Sequence, residues 1–365
     1  MEENKAFQIM SDVGHKIDVG GGTDIYPLEK MGHYGSDEGK GESVILERPC
    51  VINAHKKELL SDLNFSRGFA VTPFHSNSWD GKYKGFLSYD GKKAVGKEVW
   101  RIAQWGCTRD MATQSKMKRE GSVITYFDGG KSICVDTDQC GCISLGIKGS
   151  VEYSRDAEGD IRERVDGAEN WPHILIEQML DAKISRDCKR LIMEIDYEVD
   201  TCESLVNREK YPHNPERNAG QFQWFLMLQN NDRESRSYGQ NMWFGFSMFD
   251  TRSMGDTPNS FQAYDGGKED STGLFIYMPS LRDLAKAEGN RVDNLPTSVV
   301  GKKVRIRVDV FPEIEKALKI VQSYGEMVGA DVRKLKICST NLGWEIPGNN
   351  DVNINITRLN LYEEY

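Results

Sequence analysis

Three short segments in the second half of the chain mix polar and aromatic residues in an alternating pattern. They cover residues 171–178, 221–229 and 241–248. Because successive side chains of a β-strand point to opposite faces, each segment is predicted to present one apolar face and one mixed face. The residues predicted on the mixed face are His173, Glu177, Gln223, Asn241 and Trp243.

A sheet face of this composition has the groups that sugar recognition requires. The C–H face of a pyranose packs on an indole, and its hydroxyls pair with amides and carboxylates that accept or donate hydrogen bonds. The segment 100–105 adds Gln104 and Trp105. We therefore predict a carbohydrate site on a concave sheet, formed by these seven residues. The alternative is that the polar residues coat a solvated face and Trp243 packs beneath a loop.

Catalysis on the same face is a second interpretation. His173 and Glu177 lie about 13 Å apart along a strand, so a catalytic pair needs a group from another strand. The candidates for that group are Glu194, Asp196, Asp250 and Tyr264. Glycoside hydrolysis uses two carboxyls about 5 to 9.5 Å apart, and the alternating acids of 191–199 are formal candidates. A lyase needs a base and a cation, for which His173 and Arg101 are candidates. The sequence leaves open whether the protein is an enzyme.

A third interpretation is a structural or subunit-assembly protein whose exposed aromatic residues form an interface between copies. The sequence therefore leaves homo-oligomers open. It contains neither a Gly-x-Ser-x-Gly elbow nor a His-Glu-x-x-His helix, the usual markers of serine hydrolases and zinc proteases.

Short segments rich in β-branched and aromatic residues follow one another from about residue 43 onward, separated by turns such as Asp90-Gly91. Helical signals are few. Apolar residues at helical spacing after Pro312 predict a helix over about 312–327, and a second short helix is predicted over 280–287. The pattern predicts an all-β fold, an antiparallel jelly-roll β-sandwich with a few short helices.

The glycines divide the chain into two parts. Residues 1–42 contain eight glycines and few apolar residues, which predicts a Gly-rich N-terminal arm packed over the main body. Residues 43–365 are predicted to form one large β-sandwich, with two associated sandwiches as the alternative.

Charge and composition exclude several partners. The formal net charge is −9 and no apolar run approaches the ~18 residues of a membrane helix, so we expect neither a nucleic acid nor a membrane as partner. The N-terminus lacks the basic and apolar stretches of a signal peptide, which predicts a cytoplasmic protein with mostly reduced thiols.

Two groups of residues have the chemistry of metal ligands. Cys134, Cys140 and Cys142 are close in sequence, but their spacing lacks a Cys-x-x-Cys pair, so we interpret them as small buried side chains rather than zinc ligands. Asp-Gly turns carry oxygen ligands for calcium without the EF-hand spacing. No cofactor is predicted, with a structural calcium ion as the alternative.

The C-terminal segment 335–348, with its Gly343-Trp344-Glu345 turn, leads into a final strand over 352–361. This segment resembles the closing strands of bacterial jelly-roll sandwiches associated with glycan use, a group that includes concanavalin-like and galactose-binding-like proteins. The resemblance implies a bacterial β-sandwich that recognises or degrades carbohydrate, and it does not select one family.

Overall fold

The computed structural model describes residues 55–74, 83–89, 100–165, 169–264 and 273–365. The arm predicted for residues 1–42 lies outside these ranges. The described residues form two β-sheets packed face to face, which confirms the predicted all-β jelly-roll sandwich.

The first sheet has nine strands, in the order β15, β16, β10, β18, β8, β7, β6, β5, and β1 pairs with the last residues of β18. Their bounds are β1 Lys56–Glu58, β5 Lys116–Glu120, β6 Val123–Phe127, β7 Lys131–Asp136, β8 Ile143–Lys148, β10 Arg190–Ser204, β15 Arg291–Asp293, β16 Lys303–Asp309 and β18 Asn350–Glu364.

The second sheet also has nine strands, in the order β13, β14, β12, β11, β17, β9, β4, β2, β3. Their bounds are β2 Phe69–Val71, β3 Gly85–Leu87, β4 Trp100–Ala103, β9 His173–Lys183, β11 Gln221–Asn230, β12 Asn241–Asp250, β13 Phe261–Tyr264, β14 Phe275–Met278 and β17 Leu335–Glu345. The central pairings are antiparallel, whereas β12–β14 and β2–β4 are parallel.

One hydrophobic core lies between the sheets. Strand β10 contributes Leu191, Met193 and Ile195 from alternate positions, and β11 contributes Phe222 and Trp224 from the opposite sheet. The period of two in both strands explains this arrangement, since each strand turns every second side chain inward.

Four short α-helices accompany the described strands: α1 Met111–Gln114, α2 Gly149–Glu152, α3 Leu281–Leu284 and α4 Phe311–Ser323. Helix α4 confirms the helix predicted over 312–327 but ends four residues earlier. Gly325 follows it with φ 84°, a left-handed conformation that stops a helix and favours glycine. In the described part of the chain, no helix combines the length and apolar character needed to span a bilayer.

A buried ion cluster joins the start of β7 to α2. The Lys131 ammonium lies 2.9 Å from both Asp128 and Glu152, and all three side chains are fully buried. Burial alone would raise the pKa of Glu152, but Lys131 and hydrogen bonds from Thr108 outweigh it and hold this pKa below its ordinary value. The cluster is thus a buried internal ion-pair contact.

The described cysteines are free thiols. Cys134 and Cys142 are buried and Cys140 is exposed, and burial raises the pKa of Cys142 to about 11. Within the described ranges, no group of three or more histidine, cysteine or acidic residues is arranged to hold a metal ion.

Candidate functional site

The outer face of the second sheet carries a row of side chains that crosses five strands. Direct cross-strand partners connect Arg101 on β4, Glu177 on β9, Asn341 on β17, Phe225 on β11 and Gly245 on β12. These residues alternate with core residues in every strand, so their side chains share the surface that faces away from the first sheet. We call this surface the outer face.

Glu177 lies at the centre of the outer face and its carboxylate is held from both sides. It accepts a hydrogen bond of 2.7 Å from Arg101 Nε and one of 3.1 Å from Asn341 Nδ2. The Arg101 and Glu177 side chains are only 9% and 3% exposed. A carboxylate that accepts two hydrogen bonds from rigid strands is held in one orientation.

Aromatic side chains occupy the β11–β12 part of the outer face. The half-buried Trp243 ring lies 6.0 Å from the Phe225 ring at 73°, an edge-to-face arrangement. Gly245 lies opposite Phe225, and a Cβ built on it would come within 2.6 Å of the Phe225 ring. Because Gly245 has no side chain, the Phe225 ring can pack against β12 at this position.

A second polar group lies at the other end of the outer face. Its cross-strand partners are His173, Glu345, Gln221 and Asp250. Gln221 Nε2 donates to Glu345 at 2.7 Å, and Arg252 Nη2 donates to Gln221. Although burial lowers the pKa of Arg252, its ion pair with Asp250 raises it more. Arg252 is therefore a cation neutralised mainly by Asp250.

The structure does not bring the seven predicted residues together in one cluster. Trp105 packs edge-on against His173 with ring centroids 6.0 Å apart, whereas Asn241 and Trp243 lie at the far end of β12. On β17, the cross-strand row of His173 passes through Glu345 and the row of Trp243 passes through Ser339. These two residues are six positions apart, which is about 20 Å at ~3.3 Å per residue. Glu177 and Gln223 lie between these ends.

Gln104 differs from the other six residues. It is fully buried, its Nε2 donates to Thr72 O and Asp110 Oδ1, and its Oε1 accepts from Met111 N. Its hydrogen bonds connect β4 to α1, so the amide is committed to the structure.

The acids considered for catalysis are distributed over both sheets. Glu194 and Asp196 lie on the outer face of the first sheet, where both contact Arg358. On the outer face of the second sheet, Glu345 is the cross-strand partner of His173, and His173 lies four residues before Glu177 on β9. The two glutamates are therefore about 13 Å apart along the strands and one strand apart, beyond the ~5 to 9.5 Å of a glycosidase pair.

His173 and Arg101 also do not form the base-and-cation arrangement that a lyase needs. Arg101, the candidate cation, forms an ion pair with its cross-strand partner Glu177. Since Glu177 and His173 are four residues apart on β9, Arg101 does not lie beside His173. Because its charge is already compensated, Arg101 does not serve as a free neutraliser of a uronate.

Asn341 and Glu345 were not among the predicted site residues. The signal for them was present, since Leu342 and Trp344 are core residues and alternate with Asn341, Gly343 and Glu345. The composition Gly-Trp-Glu predicts a turn, whereas in the structure β17 continues as a strand through Glu345.

No family model and no curated protein matches the chain. Solved structures with a similar fold include the family 11 xylanase from Neocallimastix patriciarum, at 10% identity and a TM-score of 0.34, covering 68% of this chain and 95% of that chain. The xyloglucanase domain of NopAA, a type three effector from Sinorhizobium fredii, in complex with cellobiose, matches at 11% identity and a TM-score of 0.32, covering 69% and 97%.

A family 12 xyloglucanase from Bacillus licheniformis in complex with ligand matches at 9% identity and a TM-score of 0.33, covering 68% of this chain and 95% of that chain. At such identities and scores the similarity concerns general architecture alone.

Proposed function

We propose that this protein binds an oligosaccharide along the outer face of the second sheet. The observation that carries the proposal is a shared outward orientation on the four adjacent strands β9, β17, β11 and β12. The side chains concerned are Glu177, Asn341, Phe225 and Trp243. A sugar packs on an aromatic platform, which the half-buried Phe225 and Trp243 supply beside a polar row that hydrogen bonds hold in place.

The length of the surface favours an oligosaccharide over a single sugar. Trp105 with His173 at one end and Trp243 with Asn241 at the other are separated by about 20 Å along the strands. The strands are hydrogen-bonded throughout this distance, which keeps the two ends at a fixed spacing. Rigid strands reduce the ordering cost of binding.

We rank binding first and cleavage on the same face second. Glu177 and Glu345 are too far apart for either the retaining or the inverting arrangement, whereas Asp250 lies in the same row as Glu345, two strands and about 10 Å away. Release of reducing ends from a bound glycan would overturn this preference and establish the enzyme alternative.

The test is a glycan screen followed by calorimetric titration with the wild-type protein and the Trp243→Ala variant. We expect the variant to remain folded and to bind about tenfold more weakly, since an aromatic platform contributes on the order of 1.5 kcal/mol. Tyr324→Ala is a matched control, because Tyr324 is 54% exposed and stacks on Tyr264 away from the outer face.

Equal affinity in wild type and Trp243→Ala would remove Trp243 from the site. Failure of every glycan to bind, with concentration-dependent dimers in size-exclusion chromatography, would instead favour the subunit-interface interpretation.

A further inference from the structure

The His173 and Glu345 side chains present two hydrogen-bond acceptors side by side. His173 Nδ1 lies 2.5 Å from Trp171 O and 3.2 Å from Trp105 O. Both carbonyls are acceptors, so Nδ1 carries the proton that it donates to them. In the neutral imidazole the remaining nitrogen, Nε2, then holds a lone pair.

Nε2 is buried and has no hydrogen-bond partner among the described residues. It lies 3.7 Å from Glu345 Oε1, which is beyond hydrogen-bond distance. Two acceptors that face each other without a donor between them repel, and a buried polar atom without a partner is uncommon in a folded protein. A ligand group with two or more N–H donors satisfies both acceptors at once.

Charge identifies which donor fits. Asp250 engages Arg252 through both carboxylate oxygens, and Glu216 lies 3.9 Å from the same guanidinium. Glu345 also interacts electrostatically with Arg252, so three carboxylates share one guanidinium and the surplus negative charge favours a further cation. The Glu345 side chain is 10% exposed and the His173 side chain 6%, so Glu345 is the more accessible member of the pair.

We infer that this end of the outer face binds an ammonium group, so that the preferred ligand is a glycan with an unacetylated amino sugar. A primary ammonium has three N–H donors and no acceptor. It donates to Glu345 Oε1 and to His173 Nε2, which lie close enough together to be reached by one nitrogen. A neutral sugar hydroxyl has a single donor and satisfies only one of the two. This inference rests on the proposed function and names the substrate class of that site.

The test compares oligomers of β-1,4-linked glucosamine with cello-oligosaccharides of the same length by calorimetric titration at neutral pH. We expect the wild-type protein to bind the amino glycan at least tenfold more tightly, as is typical of a charge-assisted hydrogen bond in a protected site. In Glu345→Gln, which keeps the size of the side chain, the ratio of the two affinities should fall to about one, whatever the absolute affinities are.

Glu198→Gln is the matched control, since Glu198 is an acid on the outer face of the first sheet. It should keep the preference for the amino glycan, whereas loss in both variants would assign the preference to general attraction by the acidic protein and overturn the inference. Equal affinity of the wild type for both glycans would overturn the inference and leave the proposed function standing. If neither glycan binds, the proposed function fails as well. Should Glu345→Gln not fold, the wild-type comparison still decides.

Discussion

Replacing Arg101 by methionine should destabilise the protein and reveal how the centre of the outer face is held. Arg101 and Glu177 form a 2.7 Å ion pair that is almost completely buried. The substitution keeps much of the side-chain volume but removes the guanidinium. Among the described residues, Asn341 is then the hydrogen-bond donor left to the buried Glu177 carboxylate.

The magnitude follows from the burial of the pair. Removing one partner of a buried ion pair costs about 3 to 5 kcal/mol, because the other charge stays desolvated. An unfolding entropy of about 2.1 cal/mol/K per residue, applied to 365 residues, is roughly 0.8 kcal/mol/K. The melting temperature of Arg101→Met should therefore fall by about 4 to 6 °C.

The assay is a double-mutant cycle by thermal and denaturant unfolding. Adding Glu177→Gln to Arg101→Met removes the unpaired charge, so the double variant should recover much of the lost free energy of unfolding. Lys286→Met is the control, because Lys286 and Asp283 form an exposed ion pair, and its effect should stay within about 0.5 kcal/mol. If the two single changes simply add, Glu177 does not depend on Arg101 and the reasoning about the centre of the outer face is wrong.

Two further predictions concern titratable groups away from the outer face. Iodoacetamide should label the exposed Cys140 well before Cys107 in the native protein, as burial raises the pKa of the Cys107 thiol; comparable labelling of both by mass spectrometry would contradict this. Because the pKa of Glu152 lies below its ordinary value of 4.5, its stabilising effect is present above pH ~4.5 and is lost as the pH falls through the lowered value. The difference in melting temperature between wild type and Glu152→Gln should therefore narrow on acidification, and a constant difference from pH 7 to 3 would argue against the Lys131 contact as its cause.

The fold class was predictable from local patterns. Alternation in 191–199 and 221–229 marks strands with one core face, and the helix after Pro312 follows from its apolar stripe. Such patterns depend on residues two to four positions apart, so the sequence alone contains them. The alternation also indicates which side of each strand Glu177, Gln223 and Trp243 occupy.

Only the tertiary structure decided which of these residues are neighbours. Strand order and register bring Arg101, Glu177 and Asn341 into one row although they are far apart in the chain, and they place Glu194 on the other sheet. The same register puts Glu345 beside His173 and keeps it away from Glu177. Periodicity specifies the face of a strand, whereas its partner and register depend on long-range packing of the whole sandwich, which no local pattern contains.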